Sequence, residues 1–339
     1  MISDRGVEVL RAIVQDYIST NQPVGSKSLV DRHAFGVSAA TIRNDMAILE
    51  EEELITQTHT SSGRVPTDKG YRLFVDRLNE VKPLTVAERT AMETLLSGSA
   101  DLDEILGRTV RLLAQITKQV AMVQYPTLGK SKVSNVEIVP VTASRVLLIL
   151  VADSGRHEER VLELGRQIDQ DFIAELRAKL SATIVGVALS DVDSKLTNFL
   201  KSFSSTRTAE VQIVLDGLFE QIDANRTEKL LLAGTANLVR SEGDFQGSIS
   251  PLLEAMEEQV VLLKLISEMQ ADESGVSLRI GRENEFEGLN QATLLVSGYE
   301  NQGSEVAKIG VLGPTRMDYS GNIAAVRAIA RYLTQTLGA

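Results

Sequence analysis

Two groups of residues near the N-terminus have the types needed to bind nucleic acid or phosphate. In the first, Ser38, Ala39, Thr41, Arg43 and Asn44 open a helical apolar pattern just after Gly36-Val37. Arg pairs bidentately with guanine and Asn with adenine, while Ala and Thr methyls contact thymine. The second group is SSGRVPTDK, Ser61 to Lys69, which crowds glycine, arginine and lysine together. It suits either a phosphate cradle in an enzyme or a contact with a sugar–phosphate backbone. A P-loop needs G-x-x-x-x-G-K-[ST] between strand and helix. Here Lys69 precedes Gly70 and five residues separate it from Gly63, so the spacing excludes that loop.

The surrounding elements decide what the two groups do. Val7, Leu10, Ile13, Val14, Tyr17 and Ile18 recur at helical spacing, and Asn21-Gln22-Pro23 ends that helix. Ser26 is expected to cap a short second helix with Leu29 and Val30, and Ala34-Phe35-Gly36-Val37 forms a tight turn. Ser38 caps a third helix whose Ile42, Met46 and Leu49 line the packed face. A strand over Leu54–Thr58, the HTSSGR turn and a return strand Arg64–Pro66 follow. Thr67 then caps a helix carrying Tyr71, Phe74, Val75 and Leu78. Three helices and a hairpin make a winged helix-turn-helix. Residues 1–53 alone also suit a ligand-free three-helix bundle; the wing-like hairpin favours DNA. Ser38, Ala39, Thr41, Arg43 and Asn44 are then the base-facing candidates. Ser26, Lys27, Ser28, His59, Ser61, Ser62, Gly63, Arg64 and Lys69 are the backbone-facing ones. The run Glu50–Glu53 is expected to be a solvated face directed away from DNA.

Charge leaves DNA binding open. The chain of 339 residues has a net charge of −11, but residues 1–82 carry 10 Lys/Arg against 12 Asp/Glu, and Leu54–Arg77 carries 4 against 2. Local field matters more than the total for phosphate binding. With no cysteine there is no disulfide, thiolate metal site or cysteine nucleophile, which suits a reducing cytoplasm. His33, His59 and His157 are scattered without metal-ligand spacing, and Asp191-Val192-Asp193 lacks the later ligands of a calcium loop. No catalytic triad, cofactor motif or metal set emerges, so the chain is expected not to be an enzyme and to need no cofactor. The longest aliphatic run, Val146–Ala152, is far too short to span a bilayer, and a soluble cytoplasmic protein is expected.

Beyond residue 82, Thr85–Glu88 begins a connector expected over 83–100. A helix is expected over Leu102–Val123. Strand patterns follow at Ser134–Val141, Arg145–Ala152 and Arg156–Leu164, and return at Val276–Ile280, Thr293–Tyr299 and Val306–Leu312, before a final helix striped by Ile323, Val326, Ala330, Leu333 and Leu337. The three strands on each side suggest one α+β domain, 101–164 with 273–339, split by a mainly helical insertion at 165–272. That insertion has apolar faces at Phe172/Ile173/Leu176/Leu180, at Val211/Val214/Leu215/Leu218/Ile222 and at Leu252/Leu253/Met256/Val260/Leu263. LLLAG, Leu230–Gly234, is a short strand candidate. The loop Gly313-Pro314-Thr315-Arg316 is either an anion site or, preferably, a structural turn.

Five strings in this sequence resemble one family. GVSAATIRNDMAILEEEELI and HTSSGRVPTDKGYRLFVD at the N-terminus, LAGTANLVRSEGDF in the middle, and IGREN and IGVLGPTRMDYSGNI near the C-terminus are similar to the heat-inducible transcription repressor family HrcA. The resemblance implies a bacterial repressor of chaperone operons, active as a homodimer on an inverted-repeat operator called CIRCE. It also implies a winged helix at 1–82, a GAF-like domain, and a dimerising domain inserted within it. Activity is implied to depend on the chaperonin GroEL, which heat-denatured clients titrate away. The alternative is a winged-helix repressor whose GAF-like domain holds a small effector, an argument from fold analogy.

Overall fold

Ser3 accepts a hydrogen bond from the Gly6 amide and opens α1 (Asp4–Thr20), which Asn21 closes in the left-handed region at φ 52°. The computed structural model describes residues 2–57, 63–78, 101–126, 131–153, 157–226, 229–245, 249–272, 275–301 and 304–337, together with 85–87, 90 and 94. The connector expected at 83–100 therefore falls largely outside the described residues. α2 (Ser26–Arg32) and α3 (Ala39–Glu51) pack on α1 through the fully buried Ile13, Leu29, Ile42 and Leu49. Ser38 caps α3 as expected, accepting from Thr41 N at 3.3 Å. The cap of α2 is Gly25 rather than Ser26, which is the first helical residue and only 9% exposed. β1 (Ile55–Gln57) pairs antiparallel with β2 (Arg64–Pro66), and α4 (Asp68–Asp76) follows, capped by Thr67. The winged helix-turn-helix is thus formed.

The helix expected over 102–123 is two elements. α5 (Leu102–Thr117) stops where Lys118 turns left-handed at φ 56°, and the continuation is a wholly buried strand, β3 (Val120–Gln124). Alternation explains the burial: Ala121 and Val123 enter one core, Val120 and Met122 another. β3 lies in a five-stranded antiparallel sheet of order β7-β3-β10-β9-β8, formed with β7 (Leu230–Ala233), β8 (Ser277–Ile280), β9 (Ala292–Asn301) and β10 (Ser304–Pro314). α5 and α12 (Tyr319–Leu337) cover one face. The other packs on α9 (Thr235–Arg240), α10 (Ser250–Glu257) and α11 (Gln259–Glu268).

The expected grouping of strands at 134–164 with those at 276–312 does not form. β4 (Val133–Pro140), β5 (Arg145–Ala152) and β6 (His157–Glu163) make a separate three-stranded sheet. Its inward residues Val136, Ile138, Leu148, Leu150 and Leu162 pack on Leu176 and Leu180 of α6 (Gln170–Ile184) and on Val214 and Leu218 of α8 (Thr208–Arg226), with α7 (Val192–Leu196) between them in the chain. This core draws only on residues between 133 and 222. Residues 230–269, placed by the sequence pattern in the insertion, pack on the five-stranded sheet instead. The apolar stripe 252–263 is also broken: Glu258 separates α10 from α11, and Val260 is 78% exposed.

Candidate nucleic-acid interface

Burial separates the two faces of α3. Ile42, Asp45, Met46 and Leu49 point into the domain, and the opposite stripe Ala40, Arg43, Asn44, Ala47 and Ile48 is exposed. Ser38 is exposed beside it, and Ala39 and Thr41 are half-buried. Arg43 and Asn44 have no hydrogen-bond partner among the described residues, so their donors are available to a base edge. The helix cannot easily roll, because Arg5 of α1 grips the buried Asp45 bidentately, Nε to Oδ2 at 2.7 Å and Nη2 to Oδ1 at 3.1 Å. That hydrogen bond, and then the carboxylate's charge, holds the Arg5 guanidinium more firmly protonated than usual. Ala47 and Ile48 are DNA-face candidates that motif reasoning passed over. Ile48 is 38% exposed, and the signal was its position off the 42/46/49 stripe.

The backbone-facing candidates divide. Lys27 is exposed and Ser28 half-buried, whereas Ser26 is buried. His59, Ser61 and Ser62 lie outside the described residues. Gly63 is small for an internal reason, since a Cβ there would sit 2.5 Å from the carbonyl group of Val24. That close approach lets Val24 and Arg64 exchange backbone hydrogen bonds at 2.9 and 2.8 Å, adding a third extended segment beside the hairpin. Arg64 Nε donates to Glu50 Oε2 at 2.9 Å, and Lys69 Nζ donates to the Glu52 carbonyl at 2.8 Å. The glutamate run is therefore not simply a solvated face turned away: it neutralises the wing-root arginine and receives a lysine at the C-terminus of α3. Glu50→Gln should release Arg64. The expected result is a several-fold tighter binding to DNA of any sequence and a log–log salt slope steeper by about 1, measured by anisotropy on random duplex.

Gly313 and Pro314, expected in a loop, close β10, and Arg316 in the bend after them is not a free guanidinium. Arg316 Nε and Nη2 donate to Asp244 Oδ1 at 2.9 and 2.5 Å, and Nη1 donates to the Ile18 carbonyl at 2.5 Å. The structural alternative for this loop fits these contacts, with the carboxylate occupying the place of an anion. Among the described residues no group of His, Asp and Glu is arranged to hold a metal ion. No described helix is long and apolar enough to cross a membrane.

Family comparisons also find a helix-turn-helix at the N-terminal end of the chain. A DeoR-like helix-turn-helix domain model matches residues 15–65, and the model of the HrcA protein C terminal domain matches residues 103–323. The chain belongs to the HrcA family of heat-inducible transcription repressors. The HrcA repressor of Clavibacter michiganensis subsp. michiganensis is 57% identical over 337 residues, covering 99% of each chain. That of Leifsonia xyli subsp. xyli is 54% identical over 338 residues, covering 100% of each. A solved structure described only as a hypothetical protein at 2.2 Å resolution superposes with a TM-score of 0.70 at 24% identity, over 100% of this chain and 99% of that one, and shows the shared fold. As an HrcA-type repressor with a helix-turn-helix domain, the chain is a DNA-binding regulator and not an enzyme.

Proposed function

We propose that the chain works in the bacterial cytoplasm as a homodimer on an inverted-repeat operator of the CIRCE type, with Arg43 and Asn44 reading bases. The observation that carries this is the exposed stripe Ala40–Arg43–Asn44–Ala47–Ile48, held outward by Arg5 on the buried Asp45. Two such helices about one helical turn apart match a two-fold operator. Ala47 and Ile48 add apolar contact to thymine methyls. Lys27, Ser28 and a released Arg64 position the backbone, with His59, Ser61 and Ser62 in the same role at the wing.

The division of labour along the chain follows the sheets. We assign residues 1–82 to DNA, 101–126 with 229–337 to a GAF-like body, and 131–226 to dimerisation. The outer face of the three-stranded sheet supports the last assignment. Leu147 lies between Val139 and Val161 on adjacent strands, and Val139 and Val161 are 42% and 56% exposed. This apolar row, bordered by Glu137 and Glu159 beside Ile149 on one side and by the Arg145–Glu163 pair on the other, favours cover by a self-complementary copy. Chaperonin sets the active fraction by holding the repressor in its folded, binding form, as the family resemblance implies.

Anisotropy on a labelled inverted repeat and a scrambled duplex, with and without chaperonin and at two salt concentrations, tests the whole reading. Specific binding that chaperonin prolongs is the expected result. Specific binding indifferent to chaperonin would remove that partner and leave the DNA reader, with metabolites then screened against the body. Arg43→Ala should cost about 1–3 kcal/mol at one position of each half-site and leave random-sequence affinity nearly unchanged. Equal loss on both duplexes would remove Arg43 from base reading.

A further inference from the structure

The winged helix is docked on the five-stranded-sheet body through points contributed by its two outer helices. At the end of α1, Arg316 reaches the Ile18 carbonyl while gripping Asp244, and Asn21 Nδ2 donates to the same Asp244 Oδ1 at 3.2 Å. On α4, Arg72 Nε donates to Glu283 Oε1 at 2.7 Å, and Nη2 donates to Glu283 Oε2 and, at 2.7 Å, to the Leu278 carbonyl. At the start of α4, the Arg282 amide donates to Asp68 Oδ2 at 3.0 Å. Between these points Tyr71 and Phe74 pack on Tyr319, with ring centroids 5.7 and 6.4 Å apart.

The contact is confined rather than flush. A cleft of about 1070 Å³, lined by Glu50, Lys69, Asn290 and Gln291 among others, separates the wing root from the body. The polar points are spread over two helices, the end of α1 and the length of α4, so together they oppose rotation about the aromatic contact. Gly281 is built for this approach: at φ +53°, an added Cβ would fall 2.3 Å from the Asp68 carboxylate. None of these contacts uses Arg43 or Asn44, so the docked state leaves the recognition stripe open.

We propose that Arg316–Asp244, Arg72–Glu283 and Gly281–Asp68 form a latch that fixes the bearing of each recognition helix on the body, making these residues positioning determinants of half-site spacing. The proposal rests on the dimeric operator reading for its consequence on DNA, but not for the latch itself. A loosened latch lets each winged helix swing. Half-site affinity is then kept, while preference for one spacing is lost.

The chain has no cysteine, so Glu8→Cys and Arg331→Cys place spin labels cleanly on α1 and α12 of the full-length protein. Labelled chain diluted with unlabelled chain should give one narrow distance distribution by pulsed EPR. Arg316→Ala and, independently, Gly281→Val should broaden it. Anisotropy on inverted repeats with 0, 2 or 5 added central base pairs should show the parent losing affinity by about tenfold or more off its native spacing. Both variants should bind the native spacing more weakly and respond less to spacing, with single half-site affinity unchanged. An unchanged distance distribution in both variants would overturn the latch. Broadening with an unaltered spacing profile, or with half-site binding lost in parallel, would overturn the positioning role. A parent that prefers no inverted repeat over a half-site would refute the dimeric operator reading, and the distance measurement would still decide the latch.

Discussion

Leu147→Asp is expected to convert the proposed homodimer to a monomer and to weaken binding to the proposed inverted-repeat operator by a factor on the order of 10²–10⁴, the usual worth of linking two binding sites. Leu147 sits mid-strand on β5, with Val139 and Val161 as its neighbours on β4 and β6. Ile149 and Val151 continue the same face of β5, half-buried and outside the core the helices cover, with Glu137 and Glu159 beside Ile149 and Asn135 and His157 beside Val151. A carboxylate at the centre of this patch would be desolvated without a partner on association. The separate chain has no such difficulty, because the aspartate faces water there. Sedimentation should therefore show a folded monomer with unchanged far-UV circular dichroism, and anisotropy should show half-site binding only. An intact dimer carrying this substitution would place the two-fold contact elsewhere.

Alkaline pH should unfold the protein steeply. Tyr71, Tyr299 and Tyr319 are 3%, 0% and 1% exposed, and burial pushes each phenol above its ordinary range. Tyr299 donates to the Gln124 carbonyl and Tyr319 to the Thr315 carbonyl, bonds that an ionised phenolate cannot donate. In the unfolded chain all three ionise near pH 10. Raised folded values mean that the unfolded state binds fewer protons above that pH. Their contribution is thus complete below about pH 10 and is lost as pH rises toward the folded values, at about 1.4 kcal/mol per pH unit each and about 4 together. Urea midpoints between pH 8 and 11.5 check the slope, and Tyr299→Phe should reduce it by about one third. Tyr71→Phe is the useful contrast. Its hydroxyl is buried with no hydrogen-bond partner among the described residues, so removing it should stabilise the fold by about 1 kcal/mol at neutral pH. A midpoint flat to pH 11 would contradict the whole account.

What the sequence made legible was local. Helical spacing in α1 and α3, the Ser38 and Thr67 caps and the hairpin all follow from side-chain periodicity and turn chemistry. So did the separation of Arg43 and Asn44 from the buried stripe. Sheet membership was not legible, because alternation says which side of a strand is buried and nothing about its neighbour. Hence β4–β6 were grouped with β8–β10, and β3 was absorbed into a helix whose end depends on one left-handed lysine, Lys118. Pairing of distant charges was equally hidden. Nothing in the composition of the loops at 281–284 and 313–316 reveals that they meet α4 and α1, or that Glu50 lies on Arg64.

The point where the chain leaves and rejoins the five-stranded sheet has an architectural meaning. Gln124 of β3 faces Leu230 of β7, and the Tyr125 amide donates to the Lys229 carbonyl at 2.9 Å. To the sheet, everything from residue 126 to 228 is one long hairpin tip. Closing a longer tip is thermodynamically cheap, about 0.6 kcal/mol for each doubling of length. Such a tip is an interchangeable cassette. If this segment carries the two-fold contact proposed above, an Asn-Gly turn grafted between Tyr125 and Lys229 would give a single-headed DNA reader on an intact sheet. A trimeric or ligand-gated module in the same place would rewrite how many readers are joined, and when, without touching the part that reads.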